Sequence, residues 1–343
     1  MTRIKASSPD AVLADELVSH LQSYFVTALD RLSSEIGETK PFEPVEWFRN
    51  EGKFGGGVRY VSRDDTLFNR ASVNISQVQY DEEPSKTLAS ATALSTIIHP
   101  RNPYAPSIHM HVSWTEMKDG KGYWRMMADL NPSIFNEDDK KAFDQVLQTS
   151  NPKYYEEASA QGDKYFYIPV LGRHRGVSHF YLENFKTEDK EADLQMAKSL
   201  IKNVIDAYMK IIKNQIVNNK EISQEAKDKQ LDYHTLYLFQ VLTLDRGTTS
   251  GLLVHNENDV GILGSIPSHV NKKLLLSWKD KMPKGQEELV QALADCLDDN
   301  GSVEESEKAK LAQAVRSFYQ KNPEALKTQA SGNVSVPTVQ NHK

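Results

Sequence analysis

Three prolines within seven residues, Pro100, Pro103 and Pro106, constrain this chain more than any other feature. Each fixes its own φ and turns the preceding residue away from helical geometry, so no helix can run through the segment. The stretch His99-Pro100-Arg101-Asn102-Pro103-Tyr104-Ala105-Pro106-Ser107-Ile108-His109 therefore reads as a stiff, extended connector with a histidine at either end. Met110-His111-Val112-Ser113-Trp114-Thr115 alternates apolar and polar residues and predicts a strand. A rigid entry into a strand holds a histidine in a fixed place, which suits ligand binding or proton transfer. The same residues also describe a proline-rich crossover whose histidines only cap backbone groups.

The rest of the chain divides into helical and alternating stretches. Pro9–Ile36 places Leu13, Leu17, Leu21, Phe25, Ala28 and Leu32 at helical spacing, with Ser8 as cap and Gly37 as terminator. Val58–Ser62 and Thr66–Phe68 form a hairpin pattern around Arg63-Asp64-Asp65, and Ala71–Val78 predicts a further strand. Thr87–Ile98 reads equally as a short helix or a buried strand. Ser107–Glu116 and Gly122–Leu130 flank Asp119-Gly120, a hairpin signature. Asn136–Gln148, Lys153–Gln161 and Asp189–Asn219 predict helices, and Ser178–Glu183 and the apolar run Leu236–Leu244 predict strands. Hairpin-linked strands pair antiparallel, so the expected class is α+β, with a large, mostly antiparallel sheet covered by helices.

Composition narrows the class of function. The chain has 343 residues, 39% of them apolar, enough for a sizeable core. Its 41 basic and 47 acidic residues give a net charge of −6, which leaves no footprint for nucleic acid. No apolar run reaches membrane-spanning length, and Met1–Lys5 lacks a signal core, so a cytoplasmic protein is expected. A single cysteine, Cys296, excludes an intrachain disulfide framework. No phosphate loop, zinc-finger spacing or dinucleotide glycine pattern is present. Past Trp278, Gln286–Asp299 and Val303–Gln320 predict two helices around Asn300-Gly301, and the polar Lys327–Lys343 predicts disorder. The expected division is residues 1–280 as the main domain, 281–322 as a helical extension and 323–343 as a disordered tail.

The segment from His99 to His109 resembles the signature His-Pro-x-Asn-Pro-x-x-Pro-Thr-x-His of the oxygen-dependent coproporphyrinogen-III oxidases. Further blocks resemble that family in order: Gly55-Gly56-Gly57, Asp129-Leu130-Asn131-Pro132, Lys164–Ile168, Arg175-Gly176-Val177 and Asp245-Arg246-Gly247-Thr248. They run from about Glu46 to Trp278. The resemblance implies a flat antiparallel sheet with helices on both faces. It implies oxidative decarboxylation of two propionates of coproporphyrinogen III to vinyl groups, in haem biosynthesis. Molecular oxygen is then the co-substrate, with no organic cofactor. A homodimer is implied, with Tyr237–Leu244 as the strand at the subunit contact.

It also implies a site. Asp245 would accept pyrrole N–H bonds, and Arg246, with Gly247 beside it, would hold a propionate by planar pairing. Without the resemblance, Asp245-Arg246 reads as a turn carrying a surface ion pair. Asp129 matches a family aspartate that helps hold the macrocycle or moves a proton, and it equally reads as a helix cap. His109 corresponds to a proton donor. Ser95 falls at a substrate contact, or is a buried serine bonded to backbone. Arg175 would pair with a propionate or with nearby acids such as Glu183. Some members of the family are described with four histidine metal ligands. Only His99 and His109 remain here, as weak candidates, and no metal is expected.

Departures bear on the same site. Where the family has a substrate-binding Asn and an Arg after the signature histidine, this chain has His111 and Ser113. A glycine triplet is replaced by Arg125-Met126-Met127, a His-Arg pair by Val170-Leu171 and a Gly-Gly pair by Ser178-His179. The region Glu257-Asn258-Asp259 lacks the arginine of a family substrate loop. Arg125 or Arg173 would compensate if either points inward. The alternative function is a catalytically impaired relative that binds a porphyrin or porphyrinogen, or acts through interaction.

Overall fold

Alternation of apolar and polar residues along successive segments builds one twisted sheet with two chemically different faces. The computed structural model describes residues 1–37, 40–62, 66–255, 258–333 and 339–342. Its seven-stranded sheet contains β1 (Glu43–Phe48), β2 (Gly55–Val61), β3 (Phe68–Gln79), β4 (Leu88–Pro100), β5 (Ser107–Met117), β6 (Gly122–Asn131) and β9 (Ser178–Phe185). The order is β1-β2-β3-β4-β5-β6-β9, antiparallel throughout. The α+β class with a large antiparallel sheet is thus as expected from sequence. Two short strands, β7 (Tyr167–Ile168) and β8 (Arg173–His174), form a separate hairpin.

On one face, Val73, Ile75, Leu94, Met110, Val112, Met126 and Phe180 pack against three helices: α1 (Pro9–Ile36), α2 (Glu137–Ser150) and α4 (Lys190–Asn218). Ser8 caps α1 by accepting from Ala11 N–H, and Gly37 ends it at φ +100°, as expected. A helix α3 (Tyr155–Phe166) packs on β9 and presents Tyr165 and Phe166 to Met127 and Tyr181.

The opposite face is polar along its middle: Asn74, Ser76, Ser95, His109, His111, Ser113 and Arg125 share it, because they alternate with the apolar set. A second helical layer covers this face. It consists of α5 (Gln224–Thr243), α6 (Arg246–Val254), α7 (Asp259–Ile262), α8 (Lys272–Ser277), α9 (Glu287–Asp295) and α10 (Glu305–Lys321). These helices share one apolar cluster from Tyr237 through Leu289 to Phe318, so the segment past Trp278 packs into the same core as α5.

Three expectations need correction. Leu236–Leu244 is not a strand but the end of α5, and every residue from Tyr233 to Thr243 is buried. The proline connector reverses the chain between β4 and β5 instead of running extended: Ala105 N–H donates to the Asn102 carbonyl, and the Asn102 side chain accepts from Tyr104 N–H. The disorder expected from residue 323 does not hold for Pro323–Asn333. There Ala325 is buried, Gln329 donates to Thr249 Oγ1, and Ala330 N–H donates to the Leu244 carbonyl. Thr87–Ile98, open between two readings, lies in strand β4 from Leu88 onward. The turn at Arg63-Asp64-Asp65 lies outside the described residues, as do Asn256, Glu257 and residues 334–338.

Candidate active site

The polar face of the sheet and the helical layer above it enclose a cavity of about 320 Å³. That volume falls in the range of roughly 300–1,000 Å³ typical of ligand clefts. Its floor is set by strand register. Ser95 on β4, His111 on β5 and Met127 on β6 are successive partners across the sheet, and Ser113 faces Arg125 one rung away. Its roof is the break between α5 and α6, where Asp245 caps α6 by accepting from Thr248 N–H at 2.7 Å.

Asp245 is buried and ionised. Its other oxygen accepts from the Tyr165 hydroxyl at 2.8 Å, and Tyr165 accepts in turn from Arg125 Nη2 at 3.1 Å. Burial alone would raise its pKa. Arg125, His109, the Thr248 N–H and the Tyr165 hydroxyl outweigh burial and bring it to about 2. Both oxygens retain accepting capacity toward the cavity.

His109 lines the cavity and is backed by a fully buried arginine. Arg175 Nη2 donates to His109 Nδ1 at 2.9 Å and to Asp129 Oδ2 at 2.8 Å, while Nη1 donates to Gln240 Oε1 at 2.7 Å. A guanidinium only donates, so Nδ1 is the acceptor and the ring proton of neutral His109 sits on Nε2. Burial, reinforced by Arg175, pushes its pKa down to about 3. His111 is also held neutral by burial and by Arg125, and hydroxyls satisfy its ring: Nδ1 meets Ser95 Oγ at 2.7 Å and Nε2 meets Ser113 Oγ at 3.0 Å.

Behind the cavity, charge alternates toward the surface. His179 Nδ1 faces Asp163 Oδ1 at 2.7 Å, and Nε2 faces the Arg175 carbonyl at 3.0 Å and Asp129 Oδ1 at 3.3 Å. Both nitrogens meet only acceptors, which requires the imidazolium. Burial opposes that form, but hydrogen bonds to Asp129 and Asp163 raise the pKa to about 9. Gly176 makes room for this chain at φ +81°; a Cβ there would stand 2.1 Å from Asp129 Oδ1.

The candidate residues are thus divided. His109, His111, Ser95, Asp245 and Gly247 line the cavity. Asp129 and Arg175 form a fully buried pair behind it, so the expected helix cap at Asp129 is not what it makes. Arg246 pairs with Glu183, the acid that sequence reading offered to Arg175. His99 is buried away from the cavity, bonded to Ser107 Oγ at 2.8 Å and packed edge-on against Tyr237 at 4.6 Å. Among the described residues, no group of three or more His, Cys, Asp or Glu side chains could hold a metal. Of the two compensating arginines, Arg125 lines the cavity and Arg173 is exposed on the β7–β8 hairpin. Sequence reading missed Tyr165, Tyr181, His179 and Gln240. Strand period alone puts Tyr181 and His179 on one face of β9, and no short-range spacing tells which strand that face lies against.

An antiparallel sheet with one polar face, roofed by a helix-capping carboxylate, defines an α+β protein with a polar, helix-covered cavity. The profile of the coproporphyrinogen III oxidase family matches residues 14–298, and the chain belongs to that family. It is 28% identical over 294 residues to the oxygen-dependent coproporphyrinogen-III oxidase of Drosophila melanogaster, covering 79% of this chain and 74% of the fly protein. It is 27% identical over 267 residues to the mitochondrial enzyme of that name from Rattus norvegicus, and 28% over 256 residues to that of Homo sapiens. These alignments cover 69% and 66% of this chain, and 58% and 54% of the two mammalian proteins. Among the described residues, no helix is long and apolar enough to cross a membrane.

Proposed function

We propose that this chain converts coproporphyrinogen III to protoporphyrinogen IX with molecular oxygen, as a step of haem biosynthesis. The observation that carries this reading is Asp245: an ionised carboxylate, fixed by Thr248 N–H and the Tyr165 hydroxyl, facing a cavity. A porphyrinogen presents four pyrrole N–H donors at its centre, and such a carboxylate is their complement. His109 enters as a neutral donor through Nε2, because Arg175 at 2.9 Å opposes the imidazolium. Arg175, Asp129 and Gln240 act by holding that ring in place. Each propionate that becomes a vinyl group loses carbon dioxide and two electrons, which oxygen accepts; no organic cofactor and no metal is called for.

One observation favours a second reading, a relative that binds the tetrapyrrole without turning it over. Both arginines that the resemblance assigns to propionates are held by protein carboxylates, Arg175 by Asp129 and Arg246 by Glu183. Assay of the purified protein with coproporphyrinogen III in air, read as vinyl porphyrin by fluorescence, separates the two. The first reading expects product from the native chain and a loss on the order of a hundredfold in Asp245→Asn. Binding with no product supports the second reading, and neither binding nor product overturns both.

A homodimer belongs to this proposal on the general preference for closed two-fold pairing, since the strand first offered for the contact is a buried helix. A concentration-independent monomer mass would contradict it. The cytoplasm is the proposed compartment, on the single, partly buried Cys296. The mammalian relatives carry mitochondrial names.

A further inference from the structure

Arg125 is a cation lining the cavity that acts on Asp245 through its charge but, among the described residues, is in salt-bridge contact with no carboxylate. It lines the cavity from β6, opposite the small Ser113. Its guanidinium carbon lies 5.6 Å from the Tyr165 ring centroid and 5.3 Å from that of Tyr181, which stack on each other at 4.3 Å. One contact is a hydrogen bond from Nη2 to the Tyr165 hydroxyl, and the buried Nε has no hydrogen-bond partner. The nearby acids act on it only at longer range: Glu183 is held by Arg246 through Oε1 with Oε2 unpartnered, and Asp245 is linked by hydrogen bonds through Tyr165. No carboxylate lies within salt-bridge distance of Arg125 among the described residues.

A guanidinium beside two aromatic rings, with an unpartnered buried Nε and no acid in salt-bridge contact among the described residues, is matched to a ligand carboxylate. We propose that Arg125 anchors one carboxylate-bearing side chain of the cavity ligand and thereby sets its preference for an anionic macrocycle. This rests on the tetrapyrrole reading above and adds the residue that selects charge. The anchoring geometry also follows: a carboxylate on Arg125 would sit beside Asp245, so the ligand's anionic arm and its N–H centre would be fixed from adjacent groups.

The test uses the full chain and two probes, coproporphyrin III and its tetra-amide, which has the same outline without the charge. Affinities are read from quenching of protein fluorescence. The native chain should prefer the acid by about tenfold to a hundredfold, the range of one charge-assisted contact. Arg125→Met should erase that preference while leaving the amide bound as before, and Arg125→Lys should retain part of it. If Arg125→Met keeps the preference, or the native chain has none, the anchor is overturned while the tetrapyrrole reading stands. If the native chain binds neither probe, that reading falls and the anchor with it. Should Arg125→Met lose both probes, Arg125→Lys decides: a retained preference supports the anchor, and its absence overturns it.

Discussion

Arg175 does not line the cavity; it sets the protonation state of His109, which does. By donating to His109 Nδ1 and Asp129 Oδ2 from one nitrogen, it ties the cavity to the alternating charges of Asp129, His179 and Asp163. This arrangement has a pH signature. His179 is raised to about 9 in the fold, so its stabilisation is complete below its unfolded pKa of about 6.5 and is lost as pH climbs through 9. The loss should reach about 3 kcal/mol, and His179→Gln should flatten that limb of a Tm-against-pH curve. His109 has the opposite effect. With its folded pKa lowered to about 3, stability should fall as pH drops from about 6.5 toward 3. Maximal Tm is therefore expected near pH 6.5, and a curve rising steadily to pH 9 would contradict the imidazolium at His179. Gly176→Ala should cost about 1–3 kcal/mol, through strain at positive φ and a clash with Asp129. An unchanged Tm would show that Asp129 has room to move. Ser113→Arg, which the resemblance suggests as a restoration, should gain little here, because Arg125 stands directly opposite on β6 and like charges across a ladder repel.

Among the elements, the β5–β6 hairpin was legible because its turn and its alternation agree. Asp119-Gly120 fixes the β5–β6 register, which sets His111 opposite Met127 and Ser113 opposite Arg125. Helix α5 was not legible. Its last turns are buried on every side, so no polar stripe betrays a 3.6-residue period, and a short apolar run reads as a strand. That burial also removes its surface from any subunit contact. Leu242→Ala should therefore lower Tm at all protein concentrations, by the equivalent of about 2–5 kcal/mol, as for a core truncation. A drop seen only on dilution would place Leu242 at an interface instead. The pairings of Arg175 with Asp129 and of Arg246 with Glu183 were beyond sequence reading for another reason. Each joins residues distant along the chain, and short-range spacing carries no information about which acid reaches which base.

At the scale of the whole molecule, the layer over the polar face is completed by residues outside the family match. α10 lies beyond residue 298, yet Leu311, Val315 and Phe318 share the core of α5, and Arg316 donates to the Leu252 carbonyl and to Asp259 beside the cavity. Read along the sequence, these residues resemble an appendage, because amphipathic helices do not announce what they pack on. Removal of residues 305–343 should expose that core and lower Tm, with loss of whatever the cavity binds; a truncated chain of native Tm would make the extension a true appendage. In the proposed function, the cavity seats a porphyrinogen whose propionates are then oxidised. The direct measurement loads coproporphyrinogen III under nitrogen, admits oxygen, and weighs the bound and released tetrapyrrole by mass spectrometry. The expected product is lighter by two molecules of carbon dioxide and four hydrogens, and it forms about a hundredfold more slowly in Asp245→Asn. Substrate recovered with all four carboxylates, from a chain that bound it, would contradict the account.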